Sequence, residues 1–176
     1  AALRADDTAA ARAAGEPAPE FAEGFIPNTA IESRSGAVGL SFVTDKTHAG
    51  LDWSGFDTFY GVPNEEDVKI DLRQRRVDFQ AGTTESFGPF SGARLKAGSA
   101  DYRHAEIEDG QTGTVFTNRG HDARVELLHD NLGGWAGVWG AQASRSDFAA
   151  LGDEAFLPPS LTRNHAVFAF EETKLG

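Results

Sequence analysis

The sequence predicts an all-β protein, an antiparallel up-and-down meander of about seven strands. Three observations carry this. Apolar and polar residues alternate with a period of two in successive stretches, which puts a greasy side and a polar side on each extended segment. The polar sides are charged, with Asp52, Asp78, Arg94, Lys96, Arg124 and Glu126. The connections are read as alternately compact and long, short near 44–48, 83–91 and 130–134, longer and acidic near 57–69, 100–114 and 144–163. Short turns at one end and long loops at the other are the habit of outer-membrane barrels, so the meander is read as a segment of a large transmembrane β-barrel.

Taken in order, the first strand places Val38, Leu40 and Phe42 on one face, within 32–43. The second, 49–56, repeats this with Ala49, Leu51 and Trp53. The third carries Val77, Phe79 and Ala81 below a charged top, 70–76, that would stand above a bilayer. Ala93, Leu95 and Ala97 mark the fourth, and Ala123, Val125 and Leu127 the fifth. The sixth opens after Gly133-Gly134 with Trp135, Gly137 and Trp139; the seventh, 164–172, is assigned Ala166, Phe168 and Phe170 as its apolar side. The expected common face is therefore Val38, Leu40, Phe79, Leu95, Val125, Trp139 and Phe168. A membrane-crossing strand needs only about 9–11 residues, and each segment can supply that with its flanking residues.

Composition narrows the classes. In 176 residues there are 20 glycines, no cysteine and no methionine, and the net charge is −11. Lack of Cys excludes disulfides and thiolate metal sites. The acidic balance argues against nucleic acid as a partner and favours cations. No run of about 18 apolar residues exists, but barrel strands evade such a test because half of each is polar. Aromatic residues fall near both ends of the strands, Trp135, Phe87 and Phe90 at the short turns and Phe56, Phe59, Tyr60 and Tyr102 towards the longer ones, as interfacial girdles do. Residues 1–25, Ala-rich and then broken by Gly15 and two prolines, are read as an extracellular loop or partly ordered N-terminal stretch, and 26–176 as the barrel wall segment. An odd strand number leaves two open edges, which lipid does not tolerate, so the chain reads as a piece of a larger barrel. A soluble antiparallel β-sandwich binding module, lectin-like or protein-binding, is the alternative.

Eight blocks in order resemble TonB-dependent outer-membrane receptors. They are Ile26-Pro27-Asn28-Thr29, Glu32-Ser33-Arg34-Ser35-Gly36, Val38-Gly39-Leu40-Ser41, Tyr60-Gly61-Val62-Pro63, Ile70-Asp71-Leu72-Arg73-Gln74-Arg75-Arg76, Asp101-Tyr102-Arg103-His104, Asp122-Ala123-Arg124-Val125-Glu126-Leu127 and Phe148-Ala149-Ala150-Leu151-Gly152. The zinc-uptake branch is the one most similar. The resemblance implies a plugged 22-stranded barrel of the bacterial outer membrane that imports a scarce nutrient, a metal ion or metal chelate. Energy would come from the TonB complex through a plug domain that this stretch does not contain. The His-rich insertion found in zinc receptors is replaced by Asn64-Glu65-Glu66-Asp67-Val68-Lys69, without histidine.

Chemistry concentrates at one place. His104, Glu106 and Glu108 alternate on an extended top and would project to one side. Imidazole with carboxylates suits zinc, which takes about four ligands, so this trio is the candidate metal site with a plug residue completing it. An acidic mouth is expected around it, from Glu65, Glu66, Asp67, Glu106, Glu108, Asp109, Asp153 and Glu154. A solvated acidic loop with one incidental histidine is the competing reading. His48, His121, His129 and His165 sit singly on turns or walls. Nucleophile elbows, phosphate loops and dinucleotide fingerprints are missing from the sequence, so no enzyme activity is expected and no resident cofactor.

Overall fold

The structure is a computed structural model, and it describes residues 9–15, 17, 26–63, 65, 67–152 and 155–174. The expected N-terminal stretch therefore falls largely outside the described residues; 9–14 are helical. The rest is one seven-stranded antiparallel sheet in sequence order. Its strands are β1 (Ile31–Val43), β2 (Thr47–Gly61), β3 (Lys69–Thr83), β4 (Gly92–Glu108), β5 (Gln111–Leu132), β6 (Trp135–Leu151) and β7 (Ser160–Glu172). Every strand pairs with its neighbour in sequence, as the meander reading requires. The sheet is open, with β1 and β7 at its edges.

Register shows which residues share a face. Leu40 lies opposite Leu51, Leu51 opposite Phe79, and Phe79 opposite Ala97, continuing through Ala123 and Ala143. The next row holds Phe42, Ala49, Ala81, Leu95, Val125, Ala141 and Val167. All three tryptophans of the chain, Trp53, Trp135 and Trp139, have the parity of this apolar face. Its side chains are open to the surroundings: Leu40 is 82% exposed, Val38 68% and Val167 86%. Buried hydrophobic residues amount to Ile70, Ala105 and Ala150 among those described. An apolar sheet face of this extent must be covered by something outside the described chain.

Two expectations are corrected. Phe168 is not on the apolar face. It lies opposite Gly140, in the row of Arg94 and Glu126, and its ring sits 4.2 Å from the Arg124 guanidinium carbon. A Cβ on Gly140 would come within 2.1 Å of that ring, so the glycine opens the space Phe168 occupies. The true apolar side of β7 is Val167 and Ala169, with His165 above them.

The second correction concerns loops. Connections are 44–46, 84–91 and 133–134 at one end, and 62–68, 109–110 and 152–159 at the other, so lengths do not alternate as expected. The stretch 100–114 is a hairpin, not a loop. Asp109 (φ 48) and Gly110 (φ 77) both adopt the left-handed region that a two-residue type I′ turn demands. What distinguishes this end is strand reach: β3, β4 and β5 continue well past the apolar band as charged strand.

Candidate functional site

That charged reach carries the candidate site on the polar face. Arg34 opposes Asp57 on the other face, and Arg75, Arg103 and Arg119 are likewise countered by Asp57, Asp71 and Asp101. The ion pairs tie the strand tops together from β2 to β5. The Asp57 carboxyl is held below its ordinary range, chiefly by the hydrogen bond from Arg75.

On the polar side of the same tops, His104 is flanked across the sheet by Leu72 and Phe116. Its ring lies 4.8 Å from that of Phe116 and 6.2 Å from that of Tyr102. Nδ1 of His104 shares a hydrogen bond of 3.2 Å with the Tyr102 hydroxyl, while Nε2 faces Glu106 Oε1 at 3.7 Å. Burial raises the pKa of Tyr102, so its hydroxyl keeps its proton. One imidazole nitrogen is thus anchored by a hydroxyl and the other is turned towards a carboxylate.

A β-bulge places Glu106. Between the pairs Ala105–Val115 and Ile107–Thr112, β5 contributes Gly113 and Thr114 against Glu106 alone. Such an extra residue twists the ladder and re-aims the side chain beside it. Gly152, at φ 139, packs onto the bulge so closely that a Cβ there would meet the Gly113 carbonyl at 2.1 Å. Thr114 is consequently almost fully buried. Glu108 is exposed at the hairpin tip, within reach of Gly113.

Of the three expected ligands, His104 and Glu106 are therefore brought together, half-buried, and Glu108 sits further out. Among the described residues no group of three His, Asp or Glu side chains is close enough to hold a metal ion. Of the expected acidic mouth, Glu65, Asp67, Glu108 and Asp109 are exposed at this end; Glu66, Asp153 and Glu154 lie outside the described residues. Sequence reasoning missed Tyr102, which stands two residues before His104 on the same face, and Phe116, whose place depends on the bulge. The first had a signal in the two-residue period; the second had only the Asp109-Gly110 turn.

Lower on the polar face, Asp52, Asp78 and Asp122 stand in one row with Gly98 between the last two. The Arg76 side chain chelates Asp78, and a Cβ on Gly98 would meet both Arg76 Nη2 and Asp122 Oδ1 within 3 Å. Arg124 bonds Glu126 at 2.7 Å and Gln142 at 3.0 Å. The expected sharing of one face by Asp78, Arg94, Lys96, Arg124 and Glu126 is met. No protein-family model matches this chain.

Proposed function

We propose that this sheet is part of the wall of a TonB-dependent outer-membrane receptor that imports a metal ion or metal chelate, with the apolar face towards lipid and the charged face towards the lumen. The supporting observation is how the apolar band ends. Moving from β1 to β7, the first charged residue above the band is Arg34, Asp57, Arg75, Asp101, Arg119, Arg145 and Arg163. Arg34 and Asp57 share a row; Arg75, Asp101 and Arg119 share the next; Arg145 and Arg163 share the one after. The boundary thus steps twice towards the turns at the other end, by about 7 Å of strand each time. Over six strand spacings this is a slope of about 25°. The turn end slides the same way, since β5 runs on from Leu127, level with Ala93, to Leu132. A flat membrane crossed by tilted strands produces such a staircase. A sandwich core is bounded by its loops and has no reason to keep a straight oblique margin.

The Trp and Phe residues near the lower turns fit an interfacial girdle: Phe87 and Phe90 rings are 5.6 Å apart, and Phe90 packs edge-on against Trp139 at 6.0 Å. His104 and Glu106 would stand above the bilayer as two ligands of the captured ion or chelate, the remainder coming from a plug or from further strands. The resemblance described in the sequence points to the TonB complex as the partner that drives import.

Single cysteines at Leu40, Phe79, Leu95 and Val125 can carry nitroxide labels in the full-length protein, cleared of any other cysteine and reconstituted in vesicles. Lipid-facing labels are expected to collide readily with dissolved oxygen and poorly with a water-soluble nickel chelate, whereas labels at Gln80 and Lys96 should show the opposite. Low collision rates with both reagents at the four apolar positions would indicate a sandwich core and overturn the reading.

A further inference from the structure

We propose that the apolar face carries a binding site for a phosphate-bearing lipid at its upper margin, formed by Arg145 on β6 and Arg163 on β7; this rests on the membrane reading above. The chain as a whole is strongly acidic, which makes a local excess of arginine over carboxylate informative. On the same face the arginines of β1 to β5 are each matched: Arg34 by Glu32, Arg73 and Arg75 by Asp57, Arg103 by Asp71, Arg119 by Asp101. At β6 and β7 the matching is incomplete, with two arginines to one described carboxylate. Arg145 and Arg163 stand directly opposite each other, and Arg145 also opposes His121. Among the described residues Arg145 pairs with Asp147 at 3.6 Å, both side chains about half exposed, and Arg163 forms no ion pair.

Shape gives a second, independent pointer. His121, Arg145, Arg163 and His165 rim a shallow recess of 360 Å³ that Asp122 and Ser144 also line and whose floor is Ala123 and Ala143. Those two alanines and His165 also line a second recess of 520 Å³, bounded by Leu95, Val125 and Val167, that continues along the apolar band. A cup with apolar walls, charged at its rim by the two arginines, opens onto a greasy slot floored by small residues. That is the outline of an amphiphile: the cup takes the phosphate through charge-assisted hydrogen bonds, and the slot takes an acyl chain. The level is also right, because the cup lies at the step where the band meets the charged rows. Arginine suits this role, since its planar fork grips phosphate oxygens in pairs and stays charged.

The test uses full-length protein in non-ionic detergent micelles, with retention of phosphatidic acid compared with diacylglycerol of the same chains by native mass spectrometry. Phosphatidic acid is expected to be retained preferentially. Arg145→Gln with Arg163→Gln should lower that preference about thirtyfold, from about 1 kcal/mol per arginine near an anionic lipid surface. The Lys pair should keep most of it, and Ala143→Phe, which fills the slot, should weaken retention with the arginines intact. Equal retention of the two lipids, or an unchanged preference in the Gln pair, overturns the proposal. Displacement of phosphatidic acid by millimolar inorganic phosphate alone would assign a bare anion site and overturn the lipid assignment. Oxygen collision at a Leu40 label, measured on the same samples, keeps failure of this site distinct from failure of the membrane reading.

Discussion

At the scale of single residues, the anchored imidazole of His104 is the group with most to lose. Its Nδ1 is engaged by Tyr102 and its Nε2 is turned to Glu106. In the full-length protein, His104→Ala and Glu106→Gln are each expected to weaken zinc binding and zinc-dependent uptake at low metal by about tenfold, as does losing one ligand or its orienting partner. Tyr102→Phe should cost less, since it loosens the ring without removing a ligand. Unchanged affinity in a correctly inserted barrel would leave the pair as a structural contact. Gly140 makes a different residue-level case: Gly140→Val should swing Phe168 off Arg124 and lower stability by about 1–2 kcal/mol, read from the denaturant midpoint. The reversed face of β7 shows why that contact was invisible in the sequence. Ala166, Phe168 and Phe170 are greasier than Val167 and Ala169, so alternation alone favours the wrong parity. Only the register against β6, with Gly140 making room, settles it. Asp57 adds a pH dependence. Its pKa is lowered in the folded protein, so its contribution is present above the ordinary carboxylate range and fades as pH falls through the lowered value. Arg75→Gln should bring that carboxyl back towards its usual pKa, as followed by carboxyl-carbon NMR.

At the scale of elements, the hairpin of β4 and β5 decides where the site is. Both of its turn residues need positive φ, and Gly110 supplies one of them at no steric cost. Gly110→Val is expected to cost about 1–2 kcal/mol, seen as faster amide exchange at Glu108 and Gln111 while the band below stays protected. The six strands from β1 to β6 were legible because one side of each carries apolar residues at every second position. The hairpin reads as a loop in the sequence despite its Asp-Gly step, because its charged flanks look like loop. A strand standing in water on both faces has no apolar alternation to betray it. The bulge at Gly113 and Thr114 left no such trace, because a single extra residue changes pairing without changing composition; the position of Phe116 follows from it.

At the scale of the whole molecule, the open sheet makes a claim about its own edges. In the isolated chain, β1 and β7 each pair on one side only, so their amides should exchange fastest, with β3, β4 and β5 slowest. On the proposed reading, barrel closure in the full-length protein would give β1 and β7 two neighbours each, and their protection should rise to match β4. Hydrogen-exchange mass spectrometry on both samples reads this directly. Edge strands that remain labile in the full-length protein would mean that the sheet does not close.

The Asp109-Gly110 turn also fixes the thermodynamic character of whatever binds beside it. A hairpin laddered up to its last pair has no floppy tip to organise. Encounter with an ion is then a rigid-body event: the entropy cost falls on the incoming species and its hydration shell, not on the chain. Binding there should show only a small heat-capacity change, because little apolar surface is newly covered. Residence times at such a stiff platform are set by how fast ligands rehydrate, so on the proposed reading an ion would be sampled quickly and held only when a second surface closes from the other side.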